Sequence, residues 1–195
     1  MEYVTYQVSP LLKNEISCYW SLETEKNDIA ITERVYSTGN PQLLFHYGTP
    51  FIQNQQDTAI VQPSSLFSGQ YSSHCDVTAL PGSGMFGIVF HPFGLRRFID
   101  FPMALAYDSV LEFSDIFPQH KHICPIIIEA DNNEKRRDIF ESFLLKLRKP
   151  HPSRNYLLSQ FAINTITTNI DCTQEIPSLH QLELSARQIE RLFRD

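Results

Sequence analysis

The stretch Met85-Phe86-Gly87-Ile88-Val89-Phe90-His91 is an almost unbroken run of apolar residues, many of them β-branched or aromatic. Such residues favour extended backbone, so the run predicts a β-strand. The turn-forming segment Pro81-Gly82-Ser83-Gly84 precedes it. After His91 the sequence changes character and favours helices, beginning with the short apolar and basic segment 92–99.

Five more segments before residue 91 have the same strand-like texture. They are 16–22, 29–36, 43–47, 59–61 and 66–71. Glycine and proline supply turn dihedrals that strand interiors cannot use, and Gly39-Asn40-Pro41 and Gly48-Thr49-Pro50 separate several of these segments. Six strands in succession predict a β-sandwich or a β-barrel.

Two longer helices are predicted in the second half of the chain. Residues 133–149 place apolar side chains on one face, and Pro150 and Pro152 end that helix. Residues 154–170 repeat apolar side chains at near-helical intervals. We therefore place a boundary at 151–153, between a β-rich domain over 1–150 and a helical segment over 151–195.

Composition sets outer limits on the protein. With 195 residues and 42% hydrophobic content, the chain can bury a substantial core. The sequence contains no run of 18 apolar residues and does not begin like a signal peptide, so a cytoplasmic location is expected. The four cysteines are far apart and form no C-x-x-C pair, which favours reduced, mostly buried thiols.

The segment 185–195 predicts a capped amphipathic helix. Ser185 and Gln188 have the spacing of a capping box. Apolar positions follow on one face, with basic positions elsewhere, and the upstream segment 177–184 reads as a short helix and turn, the order of a helix-turn-helix. An ordinary surface helix has the same pattern of spacing.

The residue identities of this last helix resemble the first recognition helix of AraC-type transcription regulators. The resemblance implies that Arg187, Glu190 and Arg191 face base edges and that Arg194 contacts phosphate. AraC-type DNA-binding modules have two helix-turn-helix units joined by a long helix. The chain offers residues for only part of the first unit, so DNA is expected as a partner of a full-length form only.

The body resembles the amino-terminal sensor domain that precedes AraC-type readers. The motifs that carry this resemblance are Tyr19-Trp20, Glu33-Arg34, the segment 44–48, Gly69-Gln70 and the segment 87–94. It implies an α+β architecture with a cupin-like β-barrel or jelly roll, helices that form a homodimer, and a possible small-molecule effector. From strand position and polarity, the candidate effector contacts are Arg34, His46, Tyr47, Gln70 and His91.

The charge balance argues against DNA binding by this chain alone. The net charge is −6, and residues 151–195 carry four arginines against five acidic residues. Because nonspecific binding to DNA depends on clustered cations, we expect no measurable operator affinity for the 195-residue form.

Enzymatic chemistry has no clear candidate set in the sequence. Neither a nucleophile elbow nor a phosphate-binding glycine loop is present. His120 and His122 with Glu129 do not have the spacing of cupin metal ligands, and His46, His74 and His91 follow no spacing rule, so no metal or cofactor is predicted. A cupin-like metal-dependent enzyme and a ligand-free dimerising scaffold remain the alternatives to a regulator.

Overall fold

Two antiparallel β-sheets form the body of the protein. The computed structural model describes residues 1–55, 58–168 and 184–194. The larger sheet has the strand order β1-β2-β9-β4-β7-β10, and the smaller sheet has the order β3-β8-β5-β6. Together with five α-helices they confirm the predicted α+β class.

The ten described strands have the following bounds. They are β1 Glu2–Tyr6, β2 Ile16–Glu23, β3 Ile31–Val35, β4 Gln42–His46, β5 Ile52–Gln55, β6 Thr58–Val61, β7 Ser65–Ser68, β8 Cys75–Ala79, β9 Gly84–Phe90 and β10 Val110–Glu112. All six predicted strands are present, with ends shifted by a few residues. The other four, β1, β5, β8 and β10, were not predicted from the sequence.

The expected closed barrel is not what the described strands form. No strand of the six-stranded sheet pairs with a strand of the four-stranded sheet over residues 1–55 and 58–168. The two sheets instead pack face to face, and each retains free edge strands. Of the two predicted alternatives, a sandwich agrees with this arrangement and a closed barrel was wrong, because local strand signals do not indicate which edges pair.

Strand β9 lies inside the six-stranded sheet, and all seven of its residues are buried. Phe86, Ile88 and Phe90 point to one face, where they join the main core with helix residues such as Phe113 and Phe140. The opposite face belongs to a second cluster that includes Met85. Each fully buried aromatic or aliphatic side chain contributes about 1.5 to 3 kcal/mol, so this double burial is the main source of stability.

Three helices cover the main-core face of the six-stranded sheet: α1 Phe113–Ile116, α2 Ile123–Ile128 and α3 Asn133–Leu147. Two more follow, α4 Arg154–Thr168 and α5 Ala186–Arg194. The Asn132 side chain caps α3 by accepting a hydrogen bond from the Lys135 backbone N–H at 2.8 Å. The segment 92–99, predicted to begin the helical part, contains the short 3₁₀ helix Gly94–Arg97, and a second 3₁₀ helix, Met103–Ala106, follows it.

The predicted helices near the carboxyl end are present where they are described. Helix α4 follows a non-helical interval after α3, and α4 contacts α5. The helix and turn expected before residue 184 lie outside the described residues. No helix in the described part of the chain has both the length and the apolar content needed to cross a bilayer.

A buried ionic cluster attaches α4 to the body. Glu15, only 1% exposed, accepts a hydrogen bond from Arg148 at 2.7 Å and lies 3.5 Å from the Arg97 guanidinium. Arg97 is 7% exposed and stacks 5.5 Å from the ring centre of Tyr156 on α4. Gly94 allows the backbone of Glu15 to lie close to the 3₁₀ helix that carries Arg97, since a Cβ at position 94 would lie 1.9 Å from the Glu15 carbonyl oxygen.

Replacing Glu15 with glutamine should destabilise the protein strongly. The substitution keeps the shape but leaves two guanidinium groups without their buried counter-charge, so we expect a loss of about 3 kcal/mol in the free energy of unfolding. Urea denaturation followed by circular dichroism measures the loss. The control is Arg34→Gln, which breaks an exposed ion pair with Asp76 and should change stability little. Equal effects of the two substitutions would contradict the prediction.

Candidate ligand-binding cavity between the two sheets

An apolar cavity of about 200 Å³ lies between the two sheets. Its walls come from alternate residues on the facing surfaces, because side chains in a strand alternate between the two sides of a sheet. Trp20 and Leu22 of β2 belong to the wall on the six-stranded sheet, and Ile31, Val35 and Val77 belong to the opposite wall. The exposed surface of the cavity is mostly apolar, which suits a small organic molecule.

Trp20 is the only tryptophan in the sequence, and its indole ring packs on the backbone of Gly87. The two residues are cross-strand partners in β2 and β9. A Cβ at position 87 would lie 2.2 Å from Trp20 Cε2, closer than real atoms approach. The ring of Tyr3 stacks against the indole with 5.7 Å between ring centres. Gly87 therefore determines how far the indole extends into the cavity.

A chain of hydrogen-bonded polar groups runs along one wall. His46 Nε2 lies 3.0 Å from Gln62 Oε1, and Gln62 Nε2 donates to Gln53 Oε1 at 3.0 Å. The Tyr71 hydroxyl donates to the Ser109 carbonyl at 3.5 Å, and burial raises its pKa, while the nearby Ser68 and Gln53 side chains partly oppose that shift. Gln53, Gln62 and Tyr71 line the cavity. They place neutral donors and acceptors against an otherwise apolar space.

His46 lies behind this wall and is only 3% exposed. Burial lowers its pKa from 6.5 to about 4, and the hydrogen bond with Gln62 opposes the shift. The imidazole is therefore neutral at pH 7. With Gln62 Oε1 as acceptor, the proton lies on Nε2, while Nδ1 is buried without a hydrogen-bond partner. The ring packs against Phe51 with 5.2 Å between ring centres.

The other predicted effector contacts lie elsewhere. Arg34 is exposed on the outer face of β3 and pairs with Asp76 at 2.8 Å. Gln70 is exposed and donates to the Gly39 carbonyl at 3.1 Å. His91 is half-buried and stacks on Phe93 with 6.0 Å between ring centres. None of these three is among the described residues that line the cavity.

Tyr47 belongs to a polar junction between the sheet and α3. Its hydroxyl donates to Glu23, and the Arg136 guanidinium lies 3.8 Å from its ring centre. Asn133 donates to Glu23 and accepts from Arg136 at 3.0 Å. Burial and the Glu23 carboxylate raise the pKa of the Tyr47 hydroxyl. This tyrosine holds α3 in place, at a distance from the cavity wall.

The cavity thus uses residues that sequence reasoning did not select: Trp20, Gln53, Gln62 and Tyr71. Trp20 appeared only within a family motif, Gln53 stands in a polar segment without a strand signal, and Gln62 directly follows the predicted strand 59–61. One signal was available in the sequence, since Gln53 and Gln62 are unusual residues beside apolar strands. Only the pairing of β5 with β6 brings them together.

The six histidines within the described residues lie apart or in pairs. Within residues 1–55, 58–168 and 184–194, no three His, Cys, Asp or Glu side chains are arranged to hold a metal ion. His120 and His122 are neighbours, with 6.1 Å between ring centres, and His120 packs on Phe143. His74 lies beside Tyr36, a residue that lines the cavity, with 5.9 Å between ring centres.

Helix α5 begins with the predicted capping box. The Gln188 backbone N–H donates to Ser185 Oγ at 3.3 Å, and the Ser185 backbone N–H donates to Gln188 Oε1 at 2.8 Å. Arg187, Glu190 and Arg191 are exposed. Arg194 is the last residue of the helix, and its side chain lies outside what the structure describes. Three of the four predicted DNA contacts are therefore known to face outward.

Substituting Gly87 with alanine should disturb the cavity through Trp20. The added methyl group displaces the indole, so we expect a loss of about 1 to 3 kcal/mol in stability and a shift of tryptophan emission. A double-mutant cycle with Trp20→Phe, measured by thermal unfolding with circular dichroism, tests whether the loss comes from the clash of the new methyl group with the indole. The smaller ring should recover part of the loss. Strictly additive effects would show that the two side chains do not compete for space.

The burial of His46 predicts a specific acid sensitivity. The unfolded state takes up a proton near pH 6.5, whereas folded His46 does so only near pH 4. Stability should therefore fall by up to about 3 kcal/mol as pH decreases through this interval. Urea denaturation at several pH values should show a weaker decrease for His46→Gln than for the parent. The exposed His122→Gln variant serves as control and should retain the parent's decrease.

Residues 4–112 match the family described as a domain of unknown function, DUF6597. The matched region contains all ten strands except the start of β1, together with every lining residue of the cavity except Met1. No curated protein and no solved structure matches the chain. Because the family match covers more than half of the 195 residues, the protein belongs to the DUF6597 family.

Proposed function

We propose that this chain is the effector-sensing and dimerising part of an AraC-type transcription regulator, with a cupin-like body and part of a helix-turn-helix. The observation that carries the proposal is the outward placement of Arg187, Glu190 and Arg191 on a capped helix. Arginine can donate two hydrogen bonds to guanine, and glutamate can accept a hydrogen bond from the cytosine amino group, so these side chains suit the major groove. The DUF6597 match is compatible with this role.

The cavity supports the sensing half of the proposal. It is apolar, lies within the family-matched region, and has neutral polar groups on one wall. Binding pockets for small molecules usually combine an apolar lining with a few fixed polar groups. An effector would cover the poorly hydrated apolar surface of the cavity, and hydrogen bonds with Gln53 or Gln62 would orient it.

Helix α4 supports the dimerising half. Leu157 is 50% exposed and Phe161 is 42% exposed, and they lie one helical turn apart on the same face. Large apolar side chains exposed together are typical of a protein-protein interface. A second copy of the chain that packs on this face would bring two α5 helices into one assembly.

A connection between the cavity and α5 follows from the elements that separate them. The strand β2 carries Trp20 at the cavity and begins one residue after Glu15, which belongs to the ionic cluster under α4. Helix α4 contacts α5. An effector that binds one arrangement of these elements more tightly shifts their populations by its difference in affinity.

The proposal predicts sequence-selective DNA association in cells that depends on α5. The 195-residue form is expected not to bind its operator, so the test uses a tagged full-length form, for which chromatin immunoprecipitation should enrich discrete genomic sites. Combined Arg187→Ala and Arg191→Ala substitutions should reduce this enrichment about tenfold or more, because each arginine that bonds a guanine discriminates by about 1 to 3 kcal/mol.

The matched control removes two exposed lysines elsewhere, by Lys13→Ala and Lys146→Ala. This control changes the net charge by the same amount and should leave the pattern of sites intact. Enrichment that is absent in the parent, or that falls equally in both double variants, would contradict a reading role for α5.

A further inference from the structure

One acidic side chain interrupts the apolar inner surface of β3. Ile31, Glu33 and Val35 alternate on the side that faces the cavity, and all three line it. Glu33 is the cross-strand partner of Val77, which also lines the cavity. Among the described lining residues, Glu33 has the only side chain with a formal charge. A carboxylate in this position gives the cavity a negative end.

The neighbouring cations do not neutralise this carboxylate. Arg34 projects to the outer face of β3, where its guanidinium bonds Asp76 in two hydrogen bonds of 2.8 and 3.0 Å. Met1 also lines the cavity, and its amino-terminal ammonium is paired with Asp28 at 3.2 Å. Within the described part of the chain, no salt bridge includes Glu33.

The remaining polar and aromatic groups suit the same kind of ligand. Trp20, Tyr36 and Tyr71 line the cavity, and aromatic faces attract organic cations. Gln53 and Gln62 are neutral and offer no positive charge to an anion. A carboxylate or phosphate would therefore enter next to Glu33, while the ammonium of the lining residue Met1 is already paired with Asp28.

We propose that the cavity binds a small apolar molecule that carries a protonated amine, with the ammonium group at Glu33, and that it rejects carboxylates and phosphates of similar size. This inference rests on the proposed function only in that it takes the cavity as the effector site. It adds the chemical class of the effector and the residue that selects it.

Three probes with the same ring and nearly the same length test the proposal: 2-phenylethylamine, 2-phenylethanol and phenylacetate. Each is titrated into the protein at pH 7 while the emission of Trp20, the only tryptophan, is followed with excitation at 295 nm, where the probes absorb little. The amine should bind about tenfold more tightly than phenylacetate, as expected for a partly exposed ion pair together with avoided repulsion. The alcohol should fall between them.

The Glu33→Gln variant should lose the preference for the amine and bind the alcohol as the parent does. Glu129→Gln is the matched control, because Glu129 is exposed and does not line the cavity. It should keep the parent order of affinities. Light scattering on both variants tests whether Glu33 instead blocks strand pairing at the edge strand β3. Self-association of Glu33→Gln with an unchanged order of affinities would overturn the proposal.

The other outcomes separate this inference from the proposed function. If the alcohol or phenylacetate binds at least as tightly as the amine, the cavity is a ligand site, but the proposed selectivity is wrong. If none of the three probes binds, both the selectivity and the sensing role of the cavity are wrong. Reduced amine affinity in the Glu129→Gln control would also overturn it, because the effect would then be one of net charge.

Discussion

The six-stranded sheet is covered on both faces, and the other features of the fold depend on that double burial. Strand β9 has no exposed residue, because helices pack on one of its sides and the four-stranded sheet lies over the other. A strand in this position must be apolar at every residue and not only at alternate ones. The run 84–90 meets this requirement, and any polar side chain there would be buried without a partner. The same strand therefore anchors the helical layer and forms part of the cavity wall.

The two faces of this sheet are filled differently. Toward the helices, aromatic rings fill the space closely, as in the contact of Phe45 with Phe113 at 5.7 Å. Toward the smaller sheet, packing is incomplete, and a cavity remains beside Trp20 and Met85. Unfilled apolar space costs stability because its lining loses dispersion contacts. A ligand that fills this space would recover those contacts, which gives the cavity a physical reason to bind an apolar molecule.

The sequence indicated the fold where one residue pattern determines one element. The apolar run of β9 and the capping box at Ser185 are local signals, and both elements are present. Strands β5 and β8 were missed because they carry polar residues and are held as strands by pairing with each other and with β6 and β3. The cavity could not be predicted for the same reason, since Gln53 and Gln62 meet only through tertiary structure.

The position of charge determines what the proposed regulator could sense and how a signal could leave the cavity. The two carboxylates Glu15 and Glu33 have opposite environments. Glu15 is buried with two guanidinium groups, whereas Glu33 faces the cavity and forms no salt bridge in the described part of the chain. The cluster at Glu15 is costly to rearrange, because separating a buried pair leaves an uncompensated charge. It therefore favours motion of α4 as a rigid unit with the start of β2, next to Glu15.

The Glu33 side chain is exposed to solvent, so its carboxylate costs the folded protein little free energy without a partner. It forms an ion pair only when a cationic ligand binds. In such an arrangement the ligand supplies the missing charge, and the strands that line the cavity carry the resulting change toward α4.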